Sequence, residues 1–325
     1  MLTVEYLTDP PDGFLDGAGE GRGFYAAYSA AGMENFTLGY FAVSRDGKIV
    51  TVAPCFLTLY SADTLVENRR LKPLFAWIGF HVACIGHPSA DLGYIEGEVS
   101  SEVLAALNAE LFKRAPVAAY VNFSEALPLP PTFSRVASLP VAVLEVRPDY
   151  YASLGRRTRR NLRLKLRDSA ALRHEEYSGF PQQYADTIYA HYLNIYGKAD
   201  MQFERVTPRF FENMGKVGKY ILYRDGDDLI GFTLLVCRGD TVYAKYMGMD
   251  LARGRRHGLY FRMFIDAIDI CIRDGYRKLQ TGQSSYQFKR RLGSRLVPNW
   301  ISFSARNRLL HPLLALLMWL TAYRE

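Results

Sequence analysis

Two stretches of this chain repeat one short pattern. Residues 40–53 run as an apolar segment, then Arg45-Asp46-Gly47, then a second apolar segment, and residues 220–233 do the same around Arg224-Asp225-Gly226. Asp-Gly tolerates the positive backbone angles of a tight turn, so each stretch predicts a β-hairpin. The order that follows constrains the fold more than the hairpins do. After the first come an apolar segment (75–86), a helical pattern (100–114) and a strand pattern (118–123). After the second come a strand (241–249), a helix (258–274) and a strand (278–283). Both halves read hairpin, strand, helix, strand, which predicts a duplicated α/β unit with mixed sheets flanked by helices. The expected division is a first half over 1–150, a bridging helix over 151–175 and a second half over 176–325.

Charge divides along the same line. The net charge is +7, yet residues 1–150 carry ten basic and seventeen acidic groups, and residues 151–325 carry thirty and sixteen. The second part therefore presents a positive field suited to a polyanion: a nucleotide phosphate, an acidic carrier protein, RNA or a lipid headgroup. Its densest stretch, 151–173, has eight basic residues against the single acidic Asp168. That stretch reads either as a solvated bridging helix or as one that contacts phosphates or docks an acidic partner. Too few acids are present for pairing along the helix.

Other features narrow the class. The cysteines Cys55, Cys84, Cys237 and Cys271 are widely spaced among apolar residues, as in a reduced, cytoplasmic protein. The histidines lack ligand spacing, so no metal is expected. The N-terminal residues lack the basic-then-apolar order of a signal peptide, and no run reaches the length of a spanning helix. The apolar run 309–320 is expected as a buried terminal helix; the alternatives are an interfacial anchor or one wall of an acyl-chain tunnel. No phosphate loop, zinc-type His-Glu pairing or nucleophile elbow is present.

Three pieces between Tyr243 and Gly293 carry the chemistry. The first is a basic loop between a strand and a helix, Arg253-Gly254-Arg255-Arg256-His257-Gly258. Free N–H groups and the helix dipole favour anions at such a place. The second is Gly282-Gln283-Ser284-Ser285-Tyr286-Gln287-Phe288-Lys289-Arg290-Arg291-Leu292-Gly293, in which Tyr286 and Lys289 share a helix face. The third is the strand Tyr243-Ala244-Lys245-Tyr246-Met247-Gly248-Met249, where Gly248 suits a close backbone approach to a ligand.

These pieces resemble the GNAT acetyltransferase superfamily, in particular its Fem-like and BioF2-like branches, whose members have two such halves. The resemblance covers the second half by motif and the first by element order, and implies tandem GNAT-like units with mainly antiparallel mixed sheets. It implies that the basic loop cradles a donor pyrophosphate, although the usual glycine spacing differs from the glycines at 254 and 258 here. It implies that Tyr246, Met247 and Gly248 lie along a splayed strand that takes the donor's pantetheine arm. Phe288-Lys289 followed by Leu292-Gly293 reproduces the Fem-like spacing. Lys289 is then the cation near the donor carbonyl, and Tyr286 the acid for the leaving thiolate.

The function expected is N-acyl transfer from acyl-CoA or an acyl carrier protein to an amine on a small molecule or peptide. Abundant Tyr and Phe, with the apolar C-terminus, tilt the donor towards chains longer than acetyl. The alternatives are aminoacyl transfer from charged tRNA, as in Fem-like relatives, and a non-catalytic binding module. Glu204, Asp200 and His191 are candidates for the acceptor's base, none of them with a motif behind it.

Overall fold

The computed structural model describes residues 1–61, 79–198, 204–320 and 322–324. Along the chain these form β1 (Leu2–Leu7), α1 (Arg22–Ala31), β2 (Phe36–Arg45), β3 (Lys48–Ser61), β4 (Gly79–Ile85), β5 (Glu96–Gly97), α2 (Ser101–Arg114), β6 (Val117–Phe123) and β7 (Ser134–Glu145). There follow α3 (Tyr150–Ser153), α4 (Arg156–Asp168), β8 (Arg173–Ser178), α5 (Ala185–Tyr196), α6 (Pro208–Met214), β9 (Gly218–Asp225), β10 (Asp228–Arg238) and β11 (Thr241–Met249). The chain continues with α7 (Leu251–Arg256), α8 (Leu259–Asp274), β12 (Lys278–Gln280), α9 (Tyr286–Arg291), β13 (Arg295–Ala305) and α10 (His311–Leu320). Residues 75–78 of the first expected apolar segment lie outside the described residues; the rest of it is β4 and the Gly86 that follows.

Two compact units emerge. The first comprises Met1–Pro140, Asp200–Thr207 and Pro298–Glu325; the second comprises Val141–Ala199 and Pro208–Val297. Basic helix α4 thus belongs to the second unit.

In the first unit the strands are ordered β1-β2-β3-β4-β6-β13, all antiparallel except the parallel β4–β6 pair. In the second the order is β8-β9-β10-β11-β12-β7, again antiparallel except for β11–β12. Each parallel pair is joined through a helix, α2 or α8, as parallel strands require.

The hairpins match in detail. Each has a two-residue loop, Asp46-Gly47 or Gly226-Asp227, and a bulge on the third residue of its second strand, Val50 or Ile230. Both Asp46 and Gly47 have positive φ in the first loop, whereas in the second Gly226 alone does.

Apolar residues of α8, among them Leu259, Met263 and Ile268, pack with Ile221, Leu235 and Val242 of the strands, while Leu162 of α4 joins the same cluster. In the first unit Val103, Leu104, Leu107 and Leu111 of α2 pack on Phe41, Ala53 and Ala118.

Three local expectations are corrected. The strand expected over 278–283 ends at Gln280; Thr281 N–H still donates to the Ala142 carbonyl at 2.9 Å and Ala142 N–H to that of Gly282 at 3.1 Å, and Lys289 donates to the Thr281 carbonyl. The expected loop 253–258 is mostly helical: Asp250 accepts hydrogen bonds from Ala252 and Arg253 N–H at 2.8 and 2.9 Å and so starts α7. Terminal helix α10 is not buried. Only Leu314 is buried, whereas Leu313, Leu316, Trp319 and Leu320 are more than half exposed.

Candidate active site

The site lies in the second unit, where β11 parts from β12. Their parallel ladder pairs Thr241–Tyr243 with Lys278–Gln280 and has no rung beyond among the described residues, while the ladder with β10 continues to Met249. A register shift opposite Leu234 and Leu235 leaves Lys245 as a bulged residue just past the last β12 rung. A bulge bends its strand and raises the local twist, which carries residues 244–249 away from β12's line.

Helix α8 begins beside this opening. Gly258 precedes it in the left-handed region (φ 61°), a conformation that favours glycine. The amides of Gly254, His257 and Gly258 bond to the carbonyls of Asp250, Arg253 and Arg255. Among the described residues the N–H groups of Leu259 and Tyr260, the first two of α8, have no acceptor. Such orphan donors at a helix start favour an anion.

A cavity of about 320 Å³ forms here, lined by Lys165, Met249, Leu251, Gly254, Arg255, Gly258, Tyr260 and Phe261. The Lys165 ammonium lies 5.1 Å from the centre of the Phe261 ring, and Arg255 is exposed without an acidic partner among the described residues. Arg256 is equally exposed and unpaired. Lys165 lies 4.0 Å from Asp168, so the site combines an apolar wall and free amides with one paired cation and two, Arg255 and Arg256, that have no acidic partner among the described residues.

The other expected ligands are distributed differently. Arg253 reaches Asp228 at 2.6 Å, and His257 Nε2 lies 3.2 Å from Asp225, so both face the acidic β9–β10 turn. Hydrogen bonding from Arg253 and Ala252 N–H holds the Asp250 carboxyl below its usual range. Tyr246 stacks with Tyr192, Phe210 and Phe211, and Met247 packs towards the core on the opposite strand face. The close approach at Gly248 is not to a ligand. A Cβ there would meet the backbone of His191 and Tyr192 at 2.6 Å, so the glycine admits α5 against β11.

Lys289 is buried, with 1% exposure. Its ammonium donates to the carbonyls of Thr281 and Gly282, the residues that follow β12, the second at 3.3 Å. A fixed cation therefore stands at the end of the strand from which β11 has parted. Phe288, beside it, stacks on Phe261 at 4.8 Å and on Phe264 at 5.2 Å, which ties α9 to the start of α8. Tyr286 is half-buried one turn before Lys289.

Of the candidate bases, His191 is buried: its Nε2–H donates to the Leu229 carbonyl at 2.9 Å, while Nδ1 has no partner. Glu204 falls in the first unit, and Asp200 lies outside the described residues. Sequence reasoning missed Lys165, Met249, Leu251, Tyr260 and Phe261. Lys165 stands in the basic segment already singled out, and the Leu259-Tyr260-Phe261 run at a helix start was the available signal for the aromatic wall. Burial raises the Tyr260 phenol, and Ser285 bonds to it.

Residues 156–290 match the family model described as an acetyltransferase (GNAT) domain. The structure of L-PGS from Bacillus licheniformis superposes with a TM-score of 0.56 at 11% identity, over 93% of this chain and 91% of that one. FemX gives 0.55 at 13% identity, over 95% and 96%. A tandem GNAT protein from the clavulanic acid biosynthesis pathway gives 0.53 at 11% identity, over 94% and 99%. Curated protein sequences give no match. The chain therefore has the Fem-like tandem fold of the GNAT superfamily, and its residues 156–290 are an acyltransferase domain of that superfamily.

Proposed function

We propose that the second unit moves an acyl group from a thioester, acyl-CoA or an acyl carrier protein, to an amine. The observation that carries this reading is the coincidence of the β11–β12 parting with a cationic cavity at the start of α8. The donor's phosphates would meet Lys165, Arg255, Arg256 and the Leu259 and Tyr260 amides, while its amide-containing arm would follow the edge of β11. The acceptor nitrogen attacks the thioester carbonyl, a C–N bond forms and the nitrogen gives up a proton to water, the C–S bond breaks and the thiolate takes a proton. In this reading Tyr286 supplies that proton. The buried charge of Lys289 favours the oxyanion and holds the Thr281–Gly282 turn in place. Buried, unpaired Cys55, Cys84 and Cys271 suit a reducing compartment, so we place the protein in the cytoplasm.

A second reading, aminoacyl transfer from charged tRNA, draws on α4. Arg156, Arg160, Arg163 and Arg167 recur at helical spacing, are exposed and have no acidic partner among the described residues. Guanidinium groups in such a row suit successive phosphates. The test is native mass spectrometry of the whole chain with a pool of acyl-CoAs, acyl carrier proteins and aminoacyl-tRNAs, with an amine mixture then added. A retained acyl thioester whose acyl group passes to an amine supports the first reading. Retention of aminoacyl-tRNA alone moves the assignment to the second, and no retention of any donor defeats both.

A further inference from the structure

Helix α10 has an apolar residue on almost every side. Leu314 is buried against Phe56, Val82 and Phe303 of the first unit's sheet, with Met318 packed beside it. The N-terminal end is pinned, since His311 Nε2 lies 2.9 Å from Ser134 Oγ and its Nδ1 accepts from Ala305 N–H. The opposite side is equally apolar but faces water. Leu313, Leu316 and Leu320 fall at i, i+3 and i+7 on one face, Trp319 adjoins them, and Leu309 and Leu310 extend the patch before the helix begins; all are more than half exposed. Six large apolar side chains gathered on one surface are uncommon on a protein that meets only water.

The flanks identify what covers this face. Arg306 and Arg308 precede the patch and Arg324 follows it, and the one acidic residue from 306 to 325 is Glu325. Arg306 donates to the Ala115 carbonyl at 3.2 Å, so its charge is held at the surface. Arg324 lies over the Trp319 ring at 4.7 Å, which puts a cation at the rim of the apolar patch. A second copy fits less well: paired in either direction, two such helices gather six arginines against the two Glu325 carboxylates. An anionic bilayer surface matches both parts, with acyl chains under the leucines and headgroup phosphates at the arginines. The helix has ten residues, about 15 Å, enough to lie in an interface and too short to cross one.

We infer that the outer face of α10 rests on anionic membrane surfaces, with Leu313, Leu316, Trp319 and Leu320 inserted and Arg308 and Arg324 at the headgroups. The experiment is cosedimentation of the whole chain with vesicles of phosphatidylcholine alone or mixed with phosphatidylglycerol. Binding is expected to the mixed vesicles, to weaken with salt and to be slight on phosphatidylcholine. Replacing Leu313, Leu316 and Leu320 together by Ser should lower vesicle affinity by about tenfold or more. These positions are exposed, so the melting curve should stay near that of the parent. Arg308→Glu with Arg324→Glu leaves the leucines intact and should cause a comparable loss on the mixed vesicles only. Failure of the parent to bind, or equal binding by both variants, overturns the inference. Self-association that the serine variant relieves, without vesicle binding, assigns the face to a second copy instead.

Discussion

The helix between the two parallel strands starts differently in the two units. In the first, α2 opens on Ser100, whose hydroxyl accepts from Val103 N–H at 3.3 Å, with Glu98 and Glu102 beside it and Arg45 bound to both. In the second, α8 opens on left-handed Gly258, with free amides and exposed Arg255 and Arg256; Asp168 of α4 stands close to Gly258 but lies 4.0 Å from the Lys165 ammonium and makes no bond to the helix amides among the described residues. The preceding strands differ as well. β4 stays in register with β6 from Val82 to its last residue, Ile85, whereas β11 leaves β12 after Tyr243. After the parallel pair, the first unit continues into a loop with Pro128, Pro130 and Pro131, where the second has α9 and buried Lys289. One topology thus carries a helix start satisfied by its own acids and another left open for an outside anion. This supports placing the chemistry in the second unit.

Lys289 gives the severest test of that asymmetry. Lys289→Met leaves the Thr281 carbonyl without the ammonium, at about 1–3 kcal/mol, while the Gly282 carbonyl keeps its bond from Ala142 N–H at 3.1 Å. Turnover should fall roughly 100- to 1,000-fold if the cation also serves the oxyanion. Lys289→Arg keeps the charge and separates the two roles. A melting curve and a transfer rate for each variant decide, and a Met variant that melts early yet turns over normally reduces Lys289 to a structural clamp.

A smaller effect is expected at the helix starts. Lys165→Ala with Arg255→Ala should weaken donor binding by about 2 kcal/mol, roughly thirtyfold. The mirror change in the first unit, Glu98→Gln with Glu102→Gln, should leave donor affinity untouched. Titration of donor at two ionic strengths reads both. Equal losses from the two doubles would mean that the units do not divide the work in this way.

The part of this contrast legible in the sequence was what short-range rules encode. The two hairpins and the 241–249 strand follow from turn chemistry and periodicity, and the charge imbalance between the halves is a count. The opening of the site was legible only through the family resemblance, which implied a splayed strand; its local cause was not. It depends on the Lys245 bulge, and a bulge is set by pairing with a distant strand. Nor was the burial of Lys289. A lysine next to two arginines on a short helix reads as surface, and only the carbonyls that follow β12 draw it inward. Gly248 misled in the same way, since its missing Cβ makes room for α5, remote in sequence. The terminal helix misled through composition, because an all-apolar run does not say which of its faces meets water.

The units should also part at low pH. Arg273, then Lys219, bond to Glu176 in the second unit and hold its carboxyl at about 2, against 4.5 for a free group. The folded state binds that proton less readily, so the stabilisation is fully present above pH 4.5 and is lost as pH falls towards about 2. Glu176 is partly exposed, and solvent screening reduces the contribution to about 1 kcal/mol. Glu98 in the first unit is lowered too, first by Ser100, but its side chain is more exposed than that of Glu176, 35% against 27%. Urea midpoints followed down through this range should drop more for the parent than for Glu176→Gln, while Glu98→Gln should track the parent. Parallel curves for parent and Glu176→Gln would remove the network from the account of stability.

The least effect is expected at Arg253, and its smallness is informative. By motif it belongs to the phosphate loop with Arg255 and Arg256. In the fold its guanidinium turns to Asp228 at 2.6 Å on an exposed rim, and His257 turns likewise to Asp225. An exposed pair of this kind contributes about 0–1 kcal/mol, and Arg253→Ala removes no group that lines the cavity. Donor affinity should therefore change by about twofold at most, a shift of under about 0.5 kcal/mol. Asp228→Ala is the sharper variant, because it frees Arg253 without deleting it. If the released guanidinium can reach the donor, affinity should rise slightly and its salt dependence steepen. A loss from Arg253→Ala as large as that from Arg255→Ala would show that the two arginines act together on the donor, and that the bond to Asp228 opens when the donor binds.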